Sequence, residues 1–464
     1  MALPAGRAES IFACGTSCHE DRTRMTRGPD FGTWWLHPCF VFGVSGSLIG
    51  IAAYAISESN YRSYWKTPKF FDLGALEITL ACVAVFVFGA LLGQAFISRT
   101  KLGGATGRPD EAMPWPLITI LFRVSFYLCL VGYALWMGLA IQRGMTLANV
   151  VDILAGEKGA MYDARFNYLP TIGGVTTLTQ FGTAVMILGA ILGFGQGWKP
   201  VRWKLGIVFG LAVLRALLNS ERFALIELAV PFVVCSLALR SRINKFARLA
   251  INLAPPVGLI ALFLLFTCFE YFRSWTNYYA GRDLSLWEFG AIRLLGYYVT
   301  SFNNGAYFLN RLDPLNAPYF TLHFLWGFPL SSPVIKRLFP DPLLDSSDKW
   351  FYFPFLEADA NVEFNNADGM LFPLMDYGIA GGLIYWLLIG VSCGLIYDAY
   401  RRKALSGLLL YPILYLGLLE LPLALYWGEG RAFPSLCLLA ATPVVIWLRR
   451  SFTAVLPNAT CQAQ

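Results

Sequence analysis

Charge and histidine are scarce in this sequence. Only 14% of the 464 residues are Asp, Glu, Lys or Arg, whereas soluble globular proteins carry about 25%. The chain therefore lacks the polar surface that keeps a protein in water, which excludes a soluble enzyme and a disordered chain. With three histidines in all, it also has no histidine-rich metal site.

Apolar and aromatic residues take the place of charge. Hydrophobic residues make up 56% of the chain and aromatic residues 16%, including 14 Trp, and the mean hydropathy is +0.54. Tryptophan and tyrosine concentrate where the bilayer core meets the headgroups, because their rings are apolar and their tips are polar. This composition indicates a polytopic membrane protein.

Long apolar runs recur along the chain. A membrane-spanning helix needs about 20 mostly apolar residues. Two neighbouring runs separated by Asn219-Ser220-Glu221 are predicted as a tight hairpin, since one helix through both would be far longer than the bilayer is thick. We therefore predict an all-α polytopic membrane protein with about ten transmembrane helices, in segments 36–56, 73–97, 115–140, 172–194, 203–218, 222–239, 251–271, 371–397, 405–427 and 432–448.

Lysine and arginine are unevenly distributed among the short connections. They are more frequent in the connections on the same side as the N-terminus, so the positive-inside rule places both termini in the cytoplasm. The same bias explains the net charge of +7, which is then no sign of nucleic-acid binding. The predicted parts are a cytoplasmic N-terminal segment (1–31), a membrane domain with spans 1–7 (32–271), a large outer loop (272–370), a membrane domain with spans 8–10 (371–448) and a cytoplasmic tail (449–464).

The large outer loop contains one legible helix. Ser285-Leu-Trp-Glu288 is a capping-box pattern, and the apolar run that follows continues to Leu312. Within it, an arginine and several hydrogen-bonding residues recur at helical spacing, which predicts an amphipathic helix on the outer membrane surface. The polar stripe is either a functional surface or a solvated face. Its members are Arg293, Tyr297, Thr300 and Asn304.

Four arginines, Arg215, Arg222, Arg293 and Arg431, are predicted to gather at the outer surface. Arginine is permanently charged and can bind two oxygens at once, so it suits a diphosphate better than lysine does. The simpler interpretation is that each arginine only reaches toward lipid headgroups. Because several of these arginines are predicted on one side of the membrane, we favour a diphosphate-binding site over contact with lipid headgroups.

Other catalytic patterns are missing from the sequence. It has no Gly-x-x-x-x-Gly-Lys phosphate loop and no Gly-x-Ser-x-Gly nucleophile elbow, which argues against a nucleotide-driven pump and a serine hydrolase. The first outer connection, 57–72, has no paired acidic motif that would hold a metal for glycosyl transfer. Any transfer reaction is therefore expected to use no metal and no cofactor.

Several short, degenerate stretches between roughly residues 165 and 400 form a recognisable set. They are Leu169-Pro170-Thr-Ile-Gly173-Gly174, Leu217-Leu218-Asn219-Ser220-Glu221-Arg222-Phe223, Gly296-Tyr297-Tyr298-Val-Thr-Ser-Phe302-Asn303-Asn304, Asn366-Ala-Asp368-Gly369 and Leu374-Met-Asp376-Tyr-Gly378-Ile-Ala-Gly381-Gly382. Together they resemble motifs of the oligosaccharide repeat-unit polymerases of bacteria, the Wzy type, which are related to the O-antigen ligases.

The resemblance implies a GT-C-like enzyme of the bacterial inner membrane. Such enzymes join repeat units carried on undecaprenyl diphosphate at the periplasmic face, without a metal, and a chain-length regulator and a flippase are possible partners. Arg222 would contact the diphosphate, and Arg293 or Arg431 would share the developing charge. The acceptor hydroxyl needs a base, for which the candidates are Glu221, Asp368, Glu429 and His323. The expected substrate-binding residues are Arg215, Tyr297, Tyr298, Asn303, Asn304, Asn366 and Asp376.

Two other functions stay open at this point. An O-antigen ligase-type transferase would use a histidine in the large loop, where this chain has His323. A transporter or flippase for a lipid-linked substrate would place its site near the bilayer midplane, between internal repeats that this sequence does not display. The aromatic residues of 345–364 could stack on sugar rings or anchor the loop at the interface. These are Trp350, Phe351, Tyr352, Phe353 and Phe355.

Overall fold

The described part of the chain is helical throughout. A computed structural model describes residues 33–99, 113–219, 221–240, 245–271, 274–275, 284–328, 330–340 and 352–455, and these contain no β-strand. The predicted N-terminal segment 1–31 lies outside the described residues, as do Trp350 and Phe351. The α-helices are α1 (Pro38–Ala55), α2 (Glu58–Trp65), α3 (Leu73–Arg99), α4 (Trp115–Gln142), α5 (Leu147–Ala155), α6 (Ala160–Asp163), α7 (Val175–Thr179), α8 (Phe181–Gln196), α9 (Arg202–Asn219), α10 (Phe223–Leu239), α11 (Lys245–Asn252), α12 (Ala254–Glu270), α13 (Leu286–Arg311), α14 (His323–Gly327), α15 (Ser332–Leu338), α16 (Phe353–Asp359), α17 (Phe372–Arg401), α18 (Leu405–Glu420) and α19 (Phe433–Val455).

Several helices are long and apolar enough to cross a membrane. Among the described residues there are five, or six if the bent pair formed by α11 and α12 is one span, and these support a multi-pass membrane protein. The other apolar helices are shorter than the roughly 20 residues that a span needs. The prediction of about ten spans is therefore confirmed only as an all-helical chain with several candidate spans. The five are Pro38–Ala55, Leu73–Phe96, Trp115–Gln142, Val175–Gln196 and Phe372–Arg401, and the shorter helices are Phe223–Leu239, Leu405–Glu420 and Phe433–Leu448.

Two of the long helices, α3 and α17, pack closely along their length. Glycines on each helix face the backbone of the other: a Cβ on Gly394 would overlap the carbonyl of Ala90, and one on Gly89 would meet the carbonyl of Leu387. Small residues let two helices approach within a membrane, where burial of apolar side chains gives little drive to associate. Helix α1 packs mainly against the α3 side of this pair.

Helix α13 begins at the predicted capping box, and its polar stripe faces the interior of the protein. The Ser285 hydroxyl accepts the backbone N–H of Glu288, and the Glu288 carboxylate accepts that of Ser285. Its polar stripe is buried: Arg293, Thr300 and Asn304 are all inaccessible to solvent or nearly so. The stripe is therefore not a solvated face, because its polar groups find partners inside the protein.

Helix α17 is broken at Gly378, whose φ of 72° lies in the left-handed region that favours glycine. The short segment before the break carries Asp376. This carboxylate accepts the backbone N–H groups of Phe320 and Thr321 at 3.0 and 2.8 Å and the Thr321 hydroxyl at 2.7 Å. These hydrogen bonds hold the 320–321 turn of the large loop against the first part of α17.

Candidate functional site

Glu270 at the end of α12 holds two of the predicted arginines together. Its Oε1 lies 3.0 Å from Arg222 Nη1, and its Oε2 lies 3.4 Å from Arg293 Nη2. Arg293 Nη2 also lies 2.7 Å from Glu363, which precedes the predicted Asn366 motif. The Glu270 side chain is fully buried and that of Arg293 is 5% exposed, whereas that of Glu363 is 36% exposed.

Aromatic rings line this pair of arginines. The Arg222 guanidinium lies 3.9 Å from the ring centre of Phe266 and 5.2 Å from that of Tyr297. The Arg293 guanidinium lies 4.7 Å from the ring of Phe364. Rings at these distances attract the cation and keep water away from it, so ion pairing in this group is stronger than at an open surface.

Glu221 holds the other two arginines together. Its Oε2 accepts from Arg215 Nε at 2.6 Å, and its Oε1 pairs with Arg431. Arg431 Nε also lies 3.2 Å from Glu227, one helical turn into α10. Arg215 donates a further hydrogen bond to the Thr179 hydroxyl at 2.9 Å. This group therefore ties α9, α10 and the connection before α19 to one point.

The two groups are joined because Glu221 and Arg222 are consecutive in the turn between α9 and α10. Their side chains turn in different directions, one toward Arg215 and Arg431 and the other toward Glu270. The structure thus brings the four arginines into one connected set of ion pairs. We call the set the arginine–glutamate network, and its members are Arg215, Arg222, Arg293, Arg431, Glu221, Glu227, Glu270 and Glu363.

Carboxylates balance the arginine charge in the network, with four glutamates facing four arginines. Burial opposes ionisation of Glu221, but the guanidinium groups of Arg431 and Arg215 outweigh it and hold its pKa below the ordinary value. Burial also opposes the charge on Arg293, and the carboxylates of Glu270 and Glu363 more than offset it, so the pKa of Arg293 is raised. The arginines therefore stay charged and already have anionic partners, which sequence reasoning did not anticipate.

Three of those partners were not predicted from the sequence. Glu227 lies inside a predicted span, and an ionisable residue there is a functional candidate by default, so its signal was present. Glu270 lies at the end of another predicted span and offered the same signal. Glu363 stands in the large loop with no distinguishing pattern around it.

Asn303 and Asn304 hold the backbone of the loops around α13. Asn303 Oδ1 accepts the N–H groups of Phe70 and Phe71, at 2.6 and 3.0 Å, and its Nδ2 donates to the carbonyl of Pro68 at 2.8 Å. Asn304 Nδ2 donates to the carbonyls of Phe364 and Asn366, at 2.6 and 2.9 Å. Both side chains are buried, so in this conformation they position loops and do not reach a substrate, contrary to our expectation.

Asp368 and Asp376 are likewise buried beneath these loops. Asp368 Oδ1 accepts the backbone N–H of Met370 at 2.9 Å, and full burial raises the pKa of this carboxyl well above its ordinary value. Asp376 binds the backbone and hydroxyl groups of the 320–321 turn, as described above. Both carboxyls are fully buried in this conformation, so neither reaches a substrate here, contrary to the expectation that Asp368 acts as a base and Asp376 binds substrate.

His323 lies at the start of α14, with its ring centre 5.1 Å from that of Tyr319. Burial lowers the pKa of His323 to about 4, so the imidazole is neutral at physiological pH and is a weak base. Its surroundings are aromatic, which corrects the expectation of a catalytic base at this position. Of the two neighbouring tyrosines in the α13 motif, Tyr297 contacts the arginines, and burial raises the pKa of Tyr298.

A cleft beside the network contains two of the predicted residues, Asn366 and Glu429. Its cavity volume is about 80 Å³, between the large loop and the segment that follows α18. Glu429 is two residues from Arg431, so the cleft and the network share one short connection. The lining residues are Tyr352, Phe353, Asn365, Asn366, Ala367, Phe372, Leu423, Ala424 and Glu429.

Among the described residues, no group of three or more His, Cys, Asp or Glu side chains is arranged to hold a metal ion. No protein-family model matches the chain, and no curated protein or solved structure is significantly similar to it.

Proposed function

We propose that this protein is a membrane glycosyltransferase that polymerises oligosaccharide repeat units carried on undecaprenyl diphosphate. The observation that carries the proposal is the arginine–glutamate network, in which two pairs of arginines each share a carboxylate around the 221–222 turn. The proposal includes a GT-C-like fold, a metal-independent reaction at the periplasmic face of the bacterial inner membrane, and cytoplasmic termini. A flippase and a chain-length regulator are its proposed partners.

A diphosphate suits the Arg222–Arg293 pair in charge and in geometry. Both guanidinium groups contact one carboxylate, that of Glu270, so they already hold an anion between them. Glu363 is the most exposed carboxylate of the network, at 36%, and it can turn toward solvent when a diphosphate oxygen takes its place beside Arg293. When the glycosidic bond to the diphosphate breaks, negative charge grows there, and preorganised arginines stabilise it without having to move.

A ligase that depends on a loop histidine has less support. The 272–370 loop has one histidine, His323, and burial lowers its pKa to about 4. A transporter would need a substrate site near the midplane. The polar cavity between α4, α8, α9 and α10 has Arg215 and Glu227 among its lining residues, but its volume is only about 10 Å³, far smaller than a lipid-linked oligosaccharide.

The test is reconstitution of the purified protein in liposomes with a pool of lipid-linked oligosaccharides and no added metal. We expect a product ladder spaced by one repeat, which Arg222→Ala abolishes at unchanged protein level. Arg222→Lys should recover little activity, because lysine cannot bind two oxygens in a plane. The matched control is Arg62→Ala, since Arg62 forms an exposed pair with Glu58.

Each of the other outcomes argues for a different function or against a role for the network. Transfer of a single block to a different lipid acceptor indicates a ligase. Movement of lipid-linked sugar across the bilayer with no new product indicates a transporter. A full ladder from Arg222→Ala removes the network from the reaction.

A further inference from the structure

The carboxylates predicted as bases differ sharply in what they can reach. Asp368 is fully buried, and Glu221 is held between Arg215 and Arg431. Glu429, by contrast, is half-buried and lines the cleft. Among these candidates, it is the carboxylate that has space in front of it for a second molecule.

The cleft has the chemistry of a sugar-binding site. Phe353 is half-buried at the cleft and contributes an aromatic ring, against which the apolar face of a sugar ring packs. The side chains of Asn365 and Asn366 offer amide donors and acceptors for hydroxyl groups. Among the lining residues Glu429 is the one with a carboxyl group, so a bound glycan would meet a single acidic group.

We propose that this cleft binds the acceptor glycan and that Glu429 takes the proton from its attacking hydroxyl. The inference rests on the proposed function and names the acceptor site and the base for that reaction. The acceptor oxygen forms a bond to the anomeric carbon of the donor glycan as the bond from that carbon to the diphosphate breaks. The electron pair leaves with the lipid diphosphate, and the hydroxyl proton moves to the Glu429 carboxylate.

The position of Glu429 beside the network connects the two halves of this step. Arg431, two residues away, belongs to the network in which the diphosphate is proposed to bind. The charged and titratable groups that act on Glu429 are Arg431, Glu227, Glu420 and Tyr352. Burial raises the pKa of Glu429, Arg431 opposes the rise and Glu227 adds to it. A carboxylate with a raised pKa accepts a proton more readily than an ordinary one.

The experiment compares wild type with Glu429→Gln, which keeps the shape and removes the base, and Glu429→Asp, which keeps the base on a shorter side chain. Two properties are measured in parallel: extension of lipid-linked oligosaccharides, and binding of a panel of lipid-free bacterial oligosaccharides by saturation-transfer NMR. Asn366→Ala tests the cleft as the binding site. Glu157→Gln, an exposed glutamate outside the cleft, is the matched control.

We expect Glu429→Gln to lower kcat for extension by about 10² to 10³-fold, while the oligosaccharides still bind. Wild-type kcat should rise with pH through the pKa of Glu429, and this limb should disappear in Glu429→Gln. Partial activity in Glu429→Asp supports a role in proton transfer, because a purely structural role would not follow the carboxylate. Asn366→Ala should weaken oligosaccharide binding.

The experiment distinguishes failure of this inference from failure of the proposed function. Extension at the wild-type rate in Glu429→Gln overturns the inference and leaves the proposed function standing. Wild-type protein that binds oligosaccharides but extends nothing overturns the proposed function, and the proton transfer with it. Absence of oligosaccharide binding in wild type, or binding unchanged in Asn366→Ala, overturns the assignment of the cleft.

Discussion

Removing Arg293 should expose how strongly the arginine–glutamate network holds α12 and α13 together. In Arg293→Met the guanidinium disappears from between Glu270, which is fully buried, and Glu363, which is 36% exposed. Breaking a buried ion pair by deleting one partner costs about 3–5 kcal/mol, because the other charge is left uncompensated. Arg222 still contacts Glu270 at 3.0 Å, and Glu363 can turn to solvent. We therefore expect the lower end of that range, about 3 kcal/mol.

The informative measurement is the double-mutant cycle with Glu270→Gln. Glu270→Gln should also destabilise the protein by itself, since it leaves two arginines with one carboxylate fewer. In the double variant both charges are gone, so its cost should fall short of the sum of the single costs by about 1–3 kcal/mol. Arg311→Met is the matched control: Arg311 is exposed at the end of the same helix, and its loss should change stability by less than about 0.5 kcal/mol.

The assay is unfolding of the purified proteins in mixed micelles of increasing SDS content, followed by tryptophan fluorescence. The chain has 14 Trp, which gives a strong signal. Costs that simply add in the double variant would refute the reasoning, because they would mean that Arg293 and Glu270 do not interact in the folded protein.

Three further predictions follow from buried polar groups and close packing. The free energy of unfolding should fall by up to about 3 kcal/mol as the pH drops from about 6.5 to 4. The reason is that His323 is protonated in the unfolded chain over this range, while burial keeps its pKa in the folded protein at about 4. The variant His323→Phe should lose this pH dependence when its unfolding is measured between about pH 6.5 and 4. Asn303→Ala leaves three backbone groups without their side-chain partner, so it should lower the free energy of unfolding by about 3 kcal/mol without changing KM in the folded fraction. Asn310→Ala, at an exposed position, should change stability very little. A raised KM in Asn303→Ala would show that Asn303 does contact substrate. Gly394→Ala should lower the free energy of unfolding by about 1–3 kcal/mol in the same micelle assay, because the added Cβ would overlap the facing helix. Gly138→Ala is the control, since its added Cβ would meet nothing within 4 Å. Equal losses of stability in the two variants would refute the close packing of α3 and α17.

Sequence reasoning reached the candidate site in part. Arginine at Arg222, Arg293 and Arg431 was recognisable because charge is rare in this chain and these positions fall at predicted helix ends or in outer loops. Composition cannot show which carboxylate each arginine meets. Glu270 and Arg293 are neighbours in space because α12 and α13 pack together, and no spacing along the chain records that contact.

For the polar residues around the large loop, sequence reasoning misidentified the partner. Asn303 and Asp376 were expected to bind substrate because their motifs resemble those of the repeat-unit polymerases. Buried hydrogen-bonding groups are costly unless they have partners, and the partners here are backbone groups of neighbouring loops. A sequence shows that a polar side chain needs a partner and leaves open whether that partner is a substrate or the protein itself.

The sequence by itself determined the helical class, the membrane character and the start of α13 at its capping box, because these depend on composition and on residues within a few positions of one another. Tertiary structure decided which helices are long enough to be candidate spans, which charges neutralise one another, and which residues share the cleft. Glu429 and Asn366 are more than sixty positions apart and line the same space. Such contacts arise from the packing of whole helices, and local sequence carries no direct record of them.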